Sequence, residues 1–243
     1  MRRLEISLPS GRAHLQRVRA GWSIELDLPV DEAAATELLE AAVARIGDAG
    51  GGLARHWVRA GDPATTAAGL ALGFLSEREL HQLRRPLPVE QPADLVTRPF
   101  VPGRDEEAWL AVNNRAFDWH PEQGGWTLED VLAREAEPWF DPAGFLLHEE
   151  DGALLGFCWT KVHRDVEPNL GEIYVIATDP SAKGRGLGQR LVLAGLDHLH
   201  RQGLAWGMLY VDGGNAAGVQ LYEKLGFEVH HTDTSYALEV PAA

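Results

Sequence analysis

The run Lys183-Gly184-Arg185-Gly186-Leu187-Gly188 stands between a strand-like stretch, Glu172-Ile173-Tyr174-Val175-Ile176, and an apolar pattern of helical period. Strand, glycine loop and helix in that order make a backbone cradle for a phosphate group. Glycines let the main chain approach the ligand, and free N–H groups at the helix start point at the anion. The glycines alternate at 184, 186 and 188. That spacing fits neither the G-x-G-x-x-G of dinucleotide sites nor the G-x-x-x-x-G-K-[ST] of the nucleotide P-loop.

At 243 residues the chain is one large domain or two small lobes. Residues 1–90 carry 11 basic and 12 acidic side chains, whereas residues 91–243 carry 11 and 24. Nucleic acid is therefore not an expected partner, since no phosphate-neutralising stripe exists. An acidic lobe suits a cationic amine, though a solvated surface that keeps the protein in solution explains it equally. No apolar run reaches membrane-spanning length, and the start Met1-Arg2-Arg3-Leu4-Glu5 lacks the apolar segment of a signal peptide. Cys158 is the only cysteine, so no internal disulfide forms, as expected of a cytoplasmic protein.

The segment Arg84-Arg85-Pro86-Leu87-Pro88-Val89-Glu90-Gln91-Pro92 reads as a linker, because its prolines forbid a continuing helix or central strand. It divides the chain into lobes 1–90 and 91–243. In the second lobe the pattern predicts a short strand at Leu95–Arg98 and helices over Asp105–Phe117 and Thr127–Ala136. A hairpin follows, Gly144–His148 with Ala153–Val162, turning at Glu150-Asp151-Gly152. Then come a strand over Leu170–Thr178, the glycine loop and a helix to about Gln202. A strand over Ala205–Val211, a helix over Asn215–Leu225 and a closing strand pair within Phe227–Leu238 complete it.

The first lobe holds a faint repeat of the second. Leu72-Gly73-Phe74 matches Leu225-Gly226-Phe227 at a separation of 153 residues, and the same offset pairs Asp62 with Asn215 and Trp57-Val58 with Tyr210-Val211. Three matches in one register point to a duplicated half-fold. At that offset the glycine loop falls on Asp31-Glu32-Ala33-Ala34-Ala35, Glu172 on Arg19 and Tyr222 on Gly69. The first lobe has kept the packing pattern and lost the chemistry.

Gly184, Gly186 and Gly188 resemble the pyrophosphate loop of the GCN5-related N-acetyltransferases, and the element order is that of the same family. The resemblance implies an α/β (α+β) fold, a mixed central sheet flanked by helices, preceded here by a smaller degenerate half-lobe. It implies acetyl-CoA as cosubstrate and no metal. Acetyl transfer to an amine needs a bound thioester, a neutral nucleophile, a stabilised oxyanion and a protonated leaving thiolate. A splayed strand at Ile176-Ala177-Thr178 offers main-chain hydrogen bonds to the thioester oxygen and pantetheine arm. Glu172 shares a strand face with Tyr174 and Ile176, and a carboxylate on a mostly apolar strand is costly without a partner. It is a candidate general base. The competing reading is a structural ion pair, with Lys161 as the partner. Tyr222 is a candidate acid for the thiolate or, equally, a core aromatic beside Leu221 and Leu225.

Residues 113–238 further resemble the mycothiol synthase family, two-lobed actinobacterial acetyltransferases of the cysteinyl amine of Cys-GlcN-inositol. The resemblance rests on Asn113-Asn114-Arg115-Ala116-Phe117, His120-Pro121-Glu122-Gln123-Gly124-Gly125-Trp126, Glu137-Pro138-Trp139-Phe140-Asp141-Pro142, Trp159-Thr160-Lys161-Val162-His163 and Asp233-Thr234-Ser235-Tyr236-Ala237-Leu238. It implies that Glu122, Lys161, Glu172 and Tyr210 touch the acceptor. It implies that Ile176, Ala177, Thr178, Lys183, Gly184, Arg185, Gly186, Leu187, Gly188, Gln189, Asn215, Ala216, Ala217, Gly218, Val219 and Gln220 touch the coenzyme. Glu172 and Tyr222 are then base and acid. The family's first lobe is longer and supplies a further acceptor-contacting carboxylate that has no match here. A monomer or weak dimer is expected.

Other chemistries are weaker. Cys158 as an acetyl carrier competes with a small buried hydrophobe, which is the expected role. His198 and His200 diverge on a helix, and His230 and His231 alternate on a strand, so neither pair is expected to hold a metal. An acetyltransferase of another small amine or a peptide N-terminus, and a silent acetyl-CoA-binding module, remain open.

Overall fold

The computed structural model describes residues 3–18, 21–91, 93–120 and 123–243. The chain groups into two compact units that are each discontinuous in sequence. One comprises residues 1–82, 211–219 and 229–243, the other residues 83–210 and 220–228. A single cut at the proline segment, separating 1–90 from 91–243, does not describe them.

In the first unit, β1 (Arg3–Leu8), β2 (Gly11–Val18) and β3 (Gly21–Leu26) form an antiparallel meander. Helix α1 (Glu32–Asp48) follows and leads to β4 (Gly52–Val58), which lies parallel to β3. Residues Ala35, Leu38, Leu39, Ala42 and Ile46 recur at helical period and are fully buried, so α1 lays one apolar face on the sheet. Then come α2 (Pro63–Ala71) and β5 (Leu75–Pro86). The prolines of the linker segment thus follow a strand that already includes Arg84, Arg85 and Pro86, a correction to the sequence reading.

The duplication is plain in the elements themselves. Helix α6 of the second half spans Ala216–Lys224, which is α2 displaced by the same 153 residues that separate Leu72 from Leu225. Asp62 caps α2 by accepting from Thr65 N at 2.8 Å, and Asn215 caps α6 by accepting from Gly218 N at 3.0 Å. Arg19, opposite Glu172 in that register, lies outside the described residues.

His56 on β4 is almost fully buried, and no protein group satisfies either ring nitrogen. It borders a cavity of about 270 Å³ lined also by Ile24, Trp57, Arg59 and Thr65. Burial pushes its pKa down to about 4, outweighing the opposing pulls of the Ile24 backbone and Asp62. The imidazole is thus neutral when folded and protonates readily near 6.5 when unfolded. Stability is full above pH 6.5 and is lost as pH falls from there toward 4, by roughly 3 kcal/mol. A His56→Leu chain is expected to show a flatter stability profile between pH 6.5 and 4 in urea titrations. An unchanged slope would remove His56 as its source.

In the second unit, β6 is only Arg98–Pro99, shorter than the expected Leu95–Arg98. Helices α3 (Glu106–Ala116) and α4 (Leu128–Glu135) follow, the second closed by a capping box between Thr127 and Asp130. Strands β7 (Phe145–Glu150) and β8 (Ala153–His163) form the expected hairpin. Its turn holds Asp151 at φ 50° and Gly152 at φ 77°. Strand β9 (Leu170–Thr178), helix α5 (Leu187–Arg201), strand β10 (Trp206–Asp212) and helix α6 come next. The strands of this unit are ordered β10-β9-β8-β7-β6. An aromatic core fills its face, with Trp109 edge-on to Phe145, Phe157 and Trp159, and Phe145 stacked on Trp159 at 4.3 Å.

The closing element is one strand, β11 (Glu228–Val240), rather than the pair expected. It runs antiparallel to β4, from Thr234↔Val58 to Val240↔Gly52, and so belongs to the first unit. Gly51 makes that fit possible, because a side chain there would lie 2.5 Å from Val240 O. Among the described residues no helix is long and apolar enough to cross a membrane.

Candidate active site

Strands β9 and β10 are parallel only from Gly171↔Gly207 to Ile173↔Leu209. Beyond that pair they part, and Tyr174 to Thr178 on β9 have no partner on the β10 side. Antiparallel β8 still holds β9 from the other side, through Cys158↔Ile176, Phe157↔Ala177 and Gly156↔Thr178. The splayed strand predicted around Ile176, Ala177 and Thr178 is present, with main-chain groups facing the gap. Tyr210 is the first β10 residue past the parting and is 36% exposed.

At the end of β9, Asp179 caps a short turn over Pro180–Ala182 and is clamped by Arg115 of α3, Nη2 to Oδ2 at 2.5 Å. The glycine loop leaves from there. Gly184 sits at φ 80° and Gly186 at φ 69°, and a Cβ on either would meet nothing within 4 Å. Backbone conformation, not crowding, requires glycine at both. Gly186 is the N-cap of α5 and has no side chain to satisfy the first-turn amides. Those amides and the helix dipole form an anion seat. Lys183 is exposed, whereas Arg185 is held by Glu150 at 2.6 and 2.8 Å. Gln189 reaches Gln91 at 3.5 Å. Gly188 lies one turn in, where Leu221 of α6 packs at 3.9 Å from its Cβ position. Asn215 is the α6 cap, and residues 215–219 group with the first unit while Gln220 groups with the second.

Glu172 is 6% exposed on β9, opposite Lys161 of β8. It does not pair with Lys161. His163 Nε2 lies 2.7 Å from Glu172 Oε2, and Lys161 Nζ instead stands over the Trp139 ring at 4.6 Å and the Tyr174 ring at 5.6 Å. The predicted ion pair is corrected by the bulge between Trp159↔Val175 and Thr160↔Ile173. It leaves Tyr174 as an extra residue, turned to meet Trp139 at 5.0 Å between ring centroids. The aromatic wall draws the ammonium away, and the carboxylate takes the imidazole one strand period along. Period-two spacing of Lys161 and His163 put both on one face; His163 was legible as a neighbour, and its selection over Lys161 was not.

Tyr222 on α6 packs edge-on against Phe227. Burial, chiefly, pushes its phenol up to about 12. Cys158 is fully buried, and burial pushes its thiol far above the range in which it would be a nucleophile. Glu122 lies outside the described residues. Among the described residues no cluster of histidine, cysteine or carboxylate could hold a metal ion.

Residues 109–227 match the model of the acetyltransferase (GNAT) family. A mycothiol acetyltransferase of Acidimicrobium ferrooxidans is 49% identical over 96% of this chain and 79% of its own length. The chain belongs to the mycothiol acetyltransferase family. Two further members, from Thermobispora bispora and Nocardia farcinica, are 50% and 48% identical over 80% and 78% of the chain, which spans 68% and 65% of their lengths. A GCN5-related N-acetyltransferase of Sphaerobacter thermophilus superposes at a TM-score of 0.77 over 96% of this chain and 78% of its own, with 23% identity. That likeness shows the fold. This member of the mycothiol acetyltransferase family is therefore an acetyltransferase of GNAT fold, with a mixed sheet flanked by helices.

Proposed function

We propose that this chain transfers the acetyl group of acetyl-CoA directly to the cysteinyl α-amine of a cysteinyl-glucosaminyl-inositol acceptor. The observation that carries the reading is Glu172, a buried carboxylate with a fixed hydrogen bond, seated where β9 and β10 part. An α-amine has a pKa of ~7.7–8.0, so a useful fraction is neutral near pH 7 and a carboxylate base suffices. The amine nitrogen attacks the thioester carbon, the carbon–sulfur bond breaks, and Glu172 takes the proton that nitrogen loses. Main-chain groups of Ile176, Ala177 and Thr178 receive the oxyanion and the pantetheine arm. The glycine loop from Lys183 to Gln189 and the segment from Asn215 to Gln220 hold the coenzyme. Lys161, Tyr210 and Glu122 orient the acceptor.

Tyr222 keeps its proton across the working pH range and donates to the charge that builds on sulfur. Tyr222→Phe is expected to lower kcat by about 10²-fold with KM for acetyl-CoA little changed. With the phenol near 12, no alkaline loss of rate below that pH comes from Tyr222. A kcat equal to that of the parent would leave it a packing residue.

The first unit serves as a non-catalytic lobe. Where the second has its glycine loop, Asp31 caps α1 and accepts from Ala34 N at 2.8 Å, placing a carboxylate at the helix start. One coenzyme per chain is the consequence. Product mass spectrometry with the cysteinyl acceptor, other small amines and peptide N-termini tests the assignment. Faster acetylation of an unrelated amine would replace the acceptor. Tight acetyl-CoA binding with no turnover of any amine would make the protein a silent binding module.

A further inference from the structure

We infer that His163 is the positioning residue of Glu172, donating its Nε2–H to one carboxylate oxygen and leaving the other to receive the amine proton. The inference rests on the reading of Glu172 as base. An ionised carboxylate only accepts hydrogen bonds, so a 2.7 Å contact to Oε2 places the imidazole proton on Nε2. Glu172 is 6% exposed and its register partners, Lys161 on β8 and Met208 on β10, give it no printed hydrogen bond. His163 stands at the end of β8, in register with Leu170, and remains partly exposed. Its contact holds the carboxylate's rotamer and supports its charged form in a place poor in water.

Other charged and titratable groups surround the pair. Lys161 lies on β8, Tyr174 on β9 and Tyr210 on β10. Arg134 and Glu137, near the end of α4, act on Tyr174. Lys161 is engaged by the Trp139 and Tyr174 rings, which leaves the imidazole as the donor to Oε2.

The test compares full-length His163→Leu, His163→Gln and His163→Asn chains. Gln reaches with an N–H where Nε2 stood; Asn is one carbon too short, and Leu has no donor. Leu and Asn are expected to lower kcat by about 10–100-fold, as loss of an orienting partner commonly does, with KM for acetyl-CoA unchanged. The acid limb of kcat/KM against pH is expected to move to higher pH in both. Gln is expected to recover most of kcat and the parental limb. Gln as impaired as Leu, or Leu with parental rate and limb, overturns the inference. Should His163→Leu not fold, the contrast between Gln and Asn decides alone. Failure of the underlying reading looks different: Glu172→Gln would then be as fast as the parent, whatever the His163 series does.

Discussion

A chain carrying Glu172→Gln is expected to acetylate its acceptor about 10²–10⁴-fold more slowly at pH 7, the usual contribution of a positioned base. The change is nearly isosteric, and the Gln carbonyl still accepts from His163 Nε2–H, so the strand pairing and the imidazole contact persist. What is lost is an atom able to take the amine proton. Coenzyme binding, which depends on the loop from Lys183 to Gln189, is expected to match the parent by calorimetry. The deficit should narrow as pH rises past the α-amine pKa, because more acceptor is already neutral. A rate undiminished at pH 7 would remove Glu172 as base and return it to a structural role beside His163.

The elements that build this site were legible where their signals are local. Alternation marked β9, two turn residues marked the β7–β8 hairpin, and glycines at 184 and 186 marked a loop that needs positive φ. The cap residues Asp62, Thr127 and Asn215 were legible for the same reason. Pairings set across distance were not. The segment between β8 and β9 is no tight turn, so nothing nearby fixed their register, and the bulge at Tyr174 then redirected Lys161 to the rings and Glu172 to His163. The partner of β11 was hidden too, since its mate β4 lies far back in the chain.

Residues 91–243 expressed alone are expected not to fold into a working acetyltransferase, although they contain Glu172, Tyr222 and the whole glycine loop. Strand β11 would lose β4, against which it forms an antiparallel ladder from Thr234 to Val240. In the second unit, buried Leu83 would be gone, as would Leu87, whose N–H donates to Ala205 O at 2.9 Å and whose side chain lies 3.6 Å from the Cβ position of Gly207. An open strand edge with apolar side chains invites association. Low soluble yield, no cooperative thermal transition and loss of coenzyme binding are the expected outcomes, measured beside the full chain. A truncated protein that melts cooperatively near the parental temperature and acetylates at the parental rate would show residues 91–243 to be self-sufficient.

The lodging of β11 on β4 also bears on how such a gene can change over time. Duplication ordinarily yields two modules that recombination can trade or discard singly. Here the second copy's last strand is built into the first copy's sheet, so a deletion that drops the first copy damages the second. Selection can then tolerate the decay of a phosphate loop into Asp31-Glu32-Ala33-Ala34-Ala35 while still retaining the polypeptide that carries it. The first lobe persists in the lineage as a fixture its working twin cannot shed.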